Sequence, residues 1–129
     1  MKSFLVLDDQ QVRLQAFTTR LKHDVELGVR VVITDSFDVA LEEASREKFD
    51  IMFLDHDLGD ATDVNRIPSM YGESSRSWTG EDFVRCLLNL HKSRWPEEVI
   101  IHSWNPDGAK RMKCRLDDAG VSAVINPFK

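Results

Sequence analysis

Residues 51–57 read IMFLDHD, an apolar run that ends directly in two aspartates and a histidine. Two other stretches have the same form: residues 4–9 read FLVLDD, and residues 99–105 read VIIHSWN. Short, continuously apolar runs are typical of strands buried on both faces of a parallel sheet. The carboxyl ends of parallel strands line one edge of the sheet, where ligands bind. We therefore expect the polar ends of the three stretches to meet in one acidic, histidine-containing pocket.

Strand and helix patterns alternate along the rest of the chain. Strands are predicted over about 3–8, 29–34, 50–55, 98–103 and 121–125. Amphipathic helices are predicted between them: one after strand 1, one from about Asp38, one from Thr79 to Trp95, and one from about Asp107 to Asp118 that ends at Gly120. This alternation predicts one doubly wound α/β domain over residues 1–129 with a five-stranded parallel sheet.

The composition is that of an ordinary globular protein. Of the 129 residues, 42% are hydrophobic and 30% are charged, and the formal net charge is -5. A nucleic-acid-coating protein would need a basic face, so this charge argues against that class. The sequence shows neither a membrane-spanning apolar stretch nor a signal-peptide pattern, so we expect a cytoplasmic protein without a membrane partner. Cys86 and Cys114 lack metal-ligand spacing and are expected to be reduced core thiols.

A long connection, residues 59–79, has no apolar periodicity. Loops of this length inside a compact domain are usually functional lids or disordered segments. This loop contains Arg66 and Arg76, which suit phosphate binding, and Tyr71 and Trp78, which suit stacking on a base. A mobile surface loop is the alternative interpretation.

Three aspartates at the predicted strand ends suit a divalent metal. A single aspartate in such a place is commonly a turn or helix-cap residue, but Asp8, Asp9 and Asp55 together favour a metal site. Mg²⁺ and Mn²⁺ take oxygen ligands of this kind. Asp57 is a further candidate, either as part of the metal shell or as a residue that orients His56.

The order of elements and these residues together resemble a response-regulator receiver domain. The resemblance implies a sheet order of 2-1-3-4-5, a metal-binding pair at Asp8 and Asp9, and a phospho-accepting aspartate at Asp55. It also implies that Asp57 offers its backbone carbonyl to the metal, and that Ser103 or His102 takes the hydroxyl position after strand 4.

Three features depart from the receiver pattern. A receiver has a lysine before the proline that follows strand 5, whereas Asn126 precedes Pro127 here. A receiver also ends in a fifth helix, which the predicted elements lack. Finally, His56 and His102 have no ordinary role in a receiver pocket. These departures weaken the interpretation as a phosphorelay component.

A narrower set of motifs is similar to the cyclic-phosphate processing receiver family of bacterial and phage genomes. The motifs are LDD at 7–9, LDHDLG at 54–59, TG at 79–80, HSWNP at 102–106, Gly108-Ala109, Met112 and NPF at 126–128. The resemblance implies action on a cyclic phosphate, either a small molecule or an RNA end.

The residues also fit this chemistry when considered one by one. A metal at the three aspartates polarises the phosphate and lowers the pKa of a bound water. His102 is the preferred candidate for the catalytic base and His56 for the acid, although His56 is equally a candidate core histidine. Ser103 and Asn105 are candidate hydrogen-bond donors to phosphate oxygens, helped by the start of the following helix.

Three functions remain open from the sequence: a metal-dependent hydrolase (phosphodiesterase-type) of a cyclic phosphate, a degenerate receiver phosphorylated at Asp55, and a non-catalytic binder of a cyclic nucleotide or a protein. The absent fifth helix predicts a sheet face covered only by helix 1. Since apolar sheet is rarely left in water, we expect the 59–79 loop or a second copy of the chain, as in a homodimer, to cover that face.

Overall fold

A computed structural model describes residues 2–56, 79–103 and 105–126. Five parallel strands form one sheet in the order β2-β1-β3-β4-β5. The strands are β1 (Ser3–Leu7), β2 (Arg30–Thr34), β3 (Ile51–Leu54), β4 (Glu98–Ile101) and β5 (Ser122–Ile125). The predicted doubly wound α/β fold and its strand order are confirmed. The predicted lack of a helix after β5 lies outside the described residues.

In the described parts of the chain, five α-helices connect the strands. They are α1 (Gln11–Arg20), α2 (Lys22–Glu26), α3 (Phe37–Arg46), α4 (Gly80–Leu88) and α5 (Pro106–Ala119). Thr79 and Asp82 begin α4 with a reciprocal capping box, as the sequence predicts. Asn105 caps α5, and Gly120 ends it with a φ of 89°, a left-handed conformation that glycine adopts without strain. These caps place the starts of α4 and α5 beside the carboxyl ends of β3 and β4.

Two helix predictions differ from the structure. The pattern after β1 forms two helices, because the chain leaves helical geometry at Leu21. The helix predicted to reach Trp95 ends at Leu88, and a short 3₁₀ turn follows it. His91 begins this turn by accepting a hydrogen bond from the Ser93 amide, and the Trp95 indole donates to the Leu90 carbonyl. Local side-chain bonds of this kind compete with continued helix.

The core consists of two layers, one on each face of the sheet. Helices α3, α4 and α5 cover the larger layer. Leu14 and Phe17 of α1, with Leu21 just after it, cover the other. On the α1 face, β3 and β4 present Phe53 and Ile100, which are half-buried, and β5 presents Val124, which is 46% exposed. Coverage of this face by the 59–79 loop or by a second copy stays a prediction.

Cys86 is buried in α4, in agreement with a core thiol, but Cys114 is exposed on α5. The prediction that Cys114 lies in the core is wrong, because α5 buries a stripe formed by Ala109, Met112 and Leu116, and Cys114 falls outside that stripe. Neither cysteine forms a disulfide. Among the described residues, no helix is both long and apolar enough to cross a membrane.

Candidate metal and phosphate site

Parallel pairing brings the ends of three strands side by side. Leu7 pairs with Leu54, and Leu54 pairs with Ile101, so that the residues after them share one edge of the sheet. Carboxylate oxygens of Asp8, Asp9 and Asp55 lie within 4.8 Å of one another. The three aspartates singled out in the sequence therefore form one cluster. His102, the first residue after β4, joins it through a bond to Asp8.

Asp8 is the most heavily bonded member of this cluster. Its side chain is fully buried and accepts bonds from the Gln10 amide (2.9 Å), from Arg13 Nε (2.6 Å) and Nη2 (3.0 Å), and from His102 Nε2 (2.8 Å). Burial by itself raises the pKa of Asp8, but the bonds from His102, Arg13 and the Gln10 amide outweigh it and lower the pKa. The carboxylate is therefore held in its ionised form.

Arg13, from the first turn of α1, is a site residue that the sequence analysis missed. Its Nη2 lies 3.0 Å from an Asp55 oxygen and 3.8 Å from an Asp9 oxygen, in addition to its two bonds with Asp8. The hydrogen bond to Asp8 raises the pKa of Arg13. One signal was present in the sequence, since Asp9 and Arg13 have the i,i+4 spacing of a helical ion pair.

His102 contacts the cluster through a single ring nitrogen. Its side chain is 2% exposed, and its ring packs edge-on against Phe17 with centroids 5.1 Å apart. Nε2 is bonded to Asp8, whereas Nδ1 is buried without a hydrogen-bond partner among the described residues. A buried imidazole nitrogen in this state is costly unless something binds to it.

His56 is directed to α5 instead. Its Nδ1 lies 3.3 Å from the Asn105 side-chain nitrogen, and a β-carbon added at Gly108 would fall 2.4 Å from its ring. Its backbone amide joins the cluster by donating to Asp55 Oδ1 at 2.9 Å. His56 thus packs tightly on the start of α5 while its backbone helps to orient Asp55.

The Thr79-Gly80 motif has a steric explanation. The Gly80 amide donates to the His56 carbonyl at 2.7 Å, which ties the start of α4 to the end of β3. A β-carbon at Gly80 would lie 2.1 Å from the Asp55 carbonyl oxygen, closer than any real contact. Glycine is required at this position because the two backbones approach so closely.

Ser103 and Asn105 form a turn that begins α5. The Asn105 amide donates to Ser103 Oγ at 3.0 Å, and the Asn105 side-chain oxygen accepts from the Gly108 amide at 3.0 Å. That oxygen is committed to the helix cap, and the NH₂ group already contacts His56 Nδ1 at 3.3 Å. Because an amide NH₂ has two N–H donors, the second can donate to another partner. Both residues follow the carboxyl end of β4, and their role in phosphate binding stays a prediction.

Several residues of the sequence hypothesis lie outside the described part of the chain. They are Asp57, Arg66, Arg76, Tyr71, Trp78, Trp104 and Pro127. Asn126 is described, is exposed, and donates its backbone amide to the Ile101 carbonyl at 2.8 Å. The proposed contributions of Asp57, Arg66 and Arg76 stay predictions.

The donor set fits a hard divalent cation. Asp8, Asp9 and Asp55 provide carboxylate oxygens close enough together to share one ion, and oxygen is the ligand that Mg²⁺ prefers. Asp9 is 22% exposed, which leaves an approach from solvent on its side of the cluster.

The lowered pKa of Asp8 predicts a pH dependence of stability. At low pH the unfolded chain takes up a proton at this carboxylate before the folded protein does. The contribution of Asp8 to the free energy of unfolding is therefore complete above about pH 4 and is lost as the pH falls through its folded-state pKa. We expect the difference in this free energy between the protein and Asp8→Asn to shrink as the pH falls from about 4 to about 2, in urea denaturation with a chelator present. A constant difference over this range would contradict the assignment.

Known structures share this fold. A response regulator from Burkholderia pseudomallei, solved with a phosphorylated aspartic acid, a calcium ion and citrate, is 22% identical with a TM-score of 0.61; the match covers 100% of this chain and 62% of that one. The receiver domain of a sensor histidine kinase from Pseudomonas aeruginosa, with magnesium in its active-site cleft, is 21% identical with a TM-score of 0.62 and coverages of 99% and 87%. A receiver domain from Methylobacillus flagellatus is 18% identical with a TM-score of 0.64 and coverages of 100% and 89%.

These likenesses concern the fold, which is that of a CheY-like receiver. No curated protein matches the chain. The family model described as the cyclic-phosphate processing receiver domain matches residues 4–118. That span contains β2, β3, β4, all of β1 except Ser3, and the three aspartates of the cluster. The chain belongs to the cyclic-phosphate processing receiver domain family.

Proposed function

We propose that this receiver domain is a metal-dependent hydrolase of a cyclic phosphate, either a cyclic nucleotide or the 2′,3′-cyclic end of an RNA. The observation that carries the proposal is the pairing of a buried histidine, His102, with the acidic cluster through Asp8. A domain that only accepts a phosphoryl group on an aspartate needs the carboxylates but has no use for an imidazole held in this way.

The metal site in this proposal consists of Asp8, Asp9 and Asp55, with Asp57 as a further candidate ligand. Mg²⁺ or Mn²⁺, when bound there, would polarise the phosphate and lower the pKa of a coordinated water. The chain's own residues then have to bind the phosphate oxygens, accept a proton from water and return one to the leaving alkoxide.

His102 is the candidate base. Because Asp8 is ionised, it accepts a hydrogen bond from Nε2–H, and this fixes the ring tautomer in which Nδ1 carries the lone pair. The described residues leave Nδ1 without a partner, so it is the nitrogen able to accept a proton. A base oriented by a carboxylate through its second nitrogen is the arrangement that activates nucleophiles in many hydrolases.

Phosphate binding is assigned to the start of α5. The α5 N-terminus carries a partial positive charge and unsatisfied backbone amides. Ser103 and the NH₂ group of Asn105 lie at that terminus, and Arg66 and Arg76 are candidates from the preceding long connection. His56 borders the same turn through Asn105 and Gly108 and is the candidate acid.

Turnover of a panel of cyclic phosphates tests the proposal. The panel contains 2′,3′-cyclic and 3′,5′-cyclic nucleotides and a short RNA with a cyclic end, each with Mg²⁺ or Mn²⁺. We expect His102→Ala to lower kcat by about 100-fold or more, as is usual for the loss of a general base. His23→Ala, at an exposed position of α2, is the matched control and should leave kcat unchanged. Turnover no higher than that of an Asp55→Ala, His102→Ala double variant on every substrate would refute the proposal.

A second candidate function is phospho-acceptance at Asp55. It is favoured by the position of this carboxylate, which is buried at the end of β3 beside Asp8 and Asp9 and in contact with Arg13. Acetyl phosphate would then label the protein in the presence of Mg²⁺, beryllofluoride would bind tightly, and Asp55→Asn would abolish both. Calorimetry that detects cyclic-nucleotide binding without product or labelling would instead favour a non-catalytic binder.

A further inference from the structure

We propose that Arg13 is a tethered cation that competes with the divalent metal for Asp8 and Asp55, so that metal loading releases its guanidinium to bind the phosphate. The inference rests on the proposed metal site and deepens it, because it makes metal uptake and phosphate uptake depend on each other.

The competition follows from the hydrogen bonds of Asp8. Oδ1 accepts from the Gln10 amide and from Arg13 Nη2, and Oδ2 accepts from Arg13 Nε and His102 Nε2. A carboxylate offers about four lone-pair sites, so this one is saturated. A metal ion that is to approach Asp8 to about 2.1 Å must therefore displace one of the donors.

Arg13 is the donor that is free to leave. The Gln10 amide is part of the backbone, and His102 is enclosed by the fold with 2% of its side chain exposed. Arg13 is 21% exposed and extends from the first turn of α1, so its long side chain can move into solvent without opening the core. Its contact with Asp55 would be broken by the same movement.

Charge explains why the released group would bind phosphate. When all three carboxylates are ionised as metal ligands, one divalent ion leaves a net single negative charge, which repels an anion. A guanidinium at the edge of the cluster cancels that charge and can form paired hydrogen bonds to phosphate oxygens. Metal binding exposes Arg13, and phosphate binding would hold Arg13 away from the carboxylates, so each ligand should raise the affinity for the other.

Manganese binding to the whole chain tests this inference without any turnover. Isothermal titration with Mn²⁺ is performed on the wild-type protein, Arg13→Gln, Arg13→Lys and Arg20→Gln, with and without inorganic phosphate. Without phosphate we expect Arg13→Gln to bind Mn²⁺ about tenfold more tightly than wild type, because the competing cation is gone. Phosphate should tighten Mn²⁺ binding to wild type by about fivefold or more and leave Arg13→Gln nearly unchanged.

Two variants serve as controls. Arg20→Gln removes an arginine from the other end of α1 and should behave as wild type. Arg13→Lys keeps the tethered charge, so its Mn²⁺ affinity should stay within about threefold of wild type; it also provides the comparison if Arg13→Gln does not fold.

Equal or weaker Mn²⁺ binding by Arg13→Gln would overturn the inference and make Arg13 a permanent structural partner of Asp8. A tenfold gain in Arg13→Lys, equal to that expected for Arg13→Gln, would also overturn it, because charge would then not be the competitor. Tighter Mn²⁺ binding by Arg13→Gln with no turnover of any cyclic phosphate would support the inference and refute the hydrolase proposal, so the two failures are distinguishable.

Discussion

Replacing Asp8 with alanine is expected to lower the free energy of unfolding by about 3 kcal/mol, since removal of one partner from a buried charge cluster leaves the others uncompensated. Three donors lose their acceptor: the Gln10 amide, the Arg13 guanidinium and the His102 imidazole. The value is at the lower end of the usual range because Arg13 is partly exposed and can regain water. His102 is 2% exposed, so its Nε2 regains water less readily.

The neighbouring aspartate provides the matched control. Asp9 is 22% exposed and lies 3.8 Å from Arg13, which is the geometry of a surface ion pair. Asp9→Ala should therefore cost less than about 1 kcal/mol. Both variants are compared by urea denaturation at neutral pH with a chelator present. If Asp8→Ala and Asp9→Ala lowered the free energy of unfolding equally, the burial and bonding of Asp8 would not stabilise the fold.

Gly80→Ala is expected to destabilise the protein by about 2–3 kcal/mol, although the same change within an exposed helix normally stabilises it. The added methyl group would lie 2.1 Å from the Asp55 carbonyl oxygen and 2.8 Å from Met112 Cε. The methionine can move, but the carbonyl belongs to the backbone. Relief of the clash requires α4 to shift away from β3, which breaks the bond between the Gly80 amide and the His56 carbonyl.

The shift should also disturb the cluster, because the backbone that it moves carries Asp55. We expect weaker Mn²⁺ binding by Gly80→Ala together with a lower urea midpoint. Gln15→Ala, at an exposed position of α1, is the control and should change stability by less than about 0.5 kcal/mol. Stability and Mn²⁺ affinity equal to wild type would contradict the close approach of the two backbones.

The strands and the acidic cluster could be predicted because both follow from local composition. A buried parallel strand is a nearly continuous apolar run, and the first polar residue after it marks the sheet edge. β1 is buried at every residue, and Asp8 follows it directly. The exact helix ends were less predictable. The amphipathic pattern continues beyond Leu88, but α4 ends there because a 3₁₀ turn bonded through His91 and Trp95 follows it.

The sequence by itself determined the fold class, the strand order implied by family resemblance, and the meeting of Asp8, Asp9 and Asp55. Only the tertiary structure decided what each polar group contacts. It put Arg13 against two carboxylates, Asp8 on one nitrogen of His102, and His56 against the start of α5. The physical reason is that hydrophobic periodicity specifies which face of an element is buried, whereas hydrogen bonds depend on positions fixed to within a few tenths of an ångström by packing between elements distant in sequence.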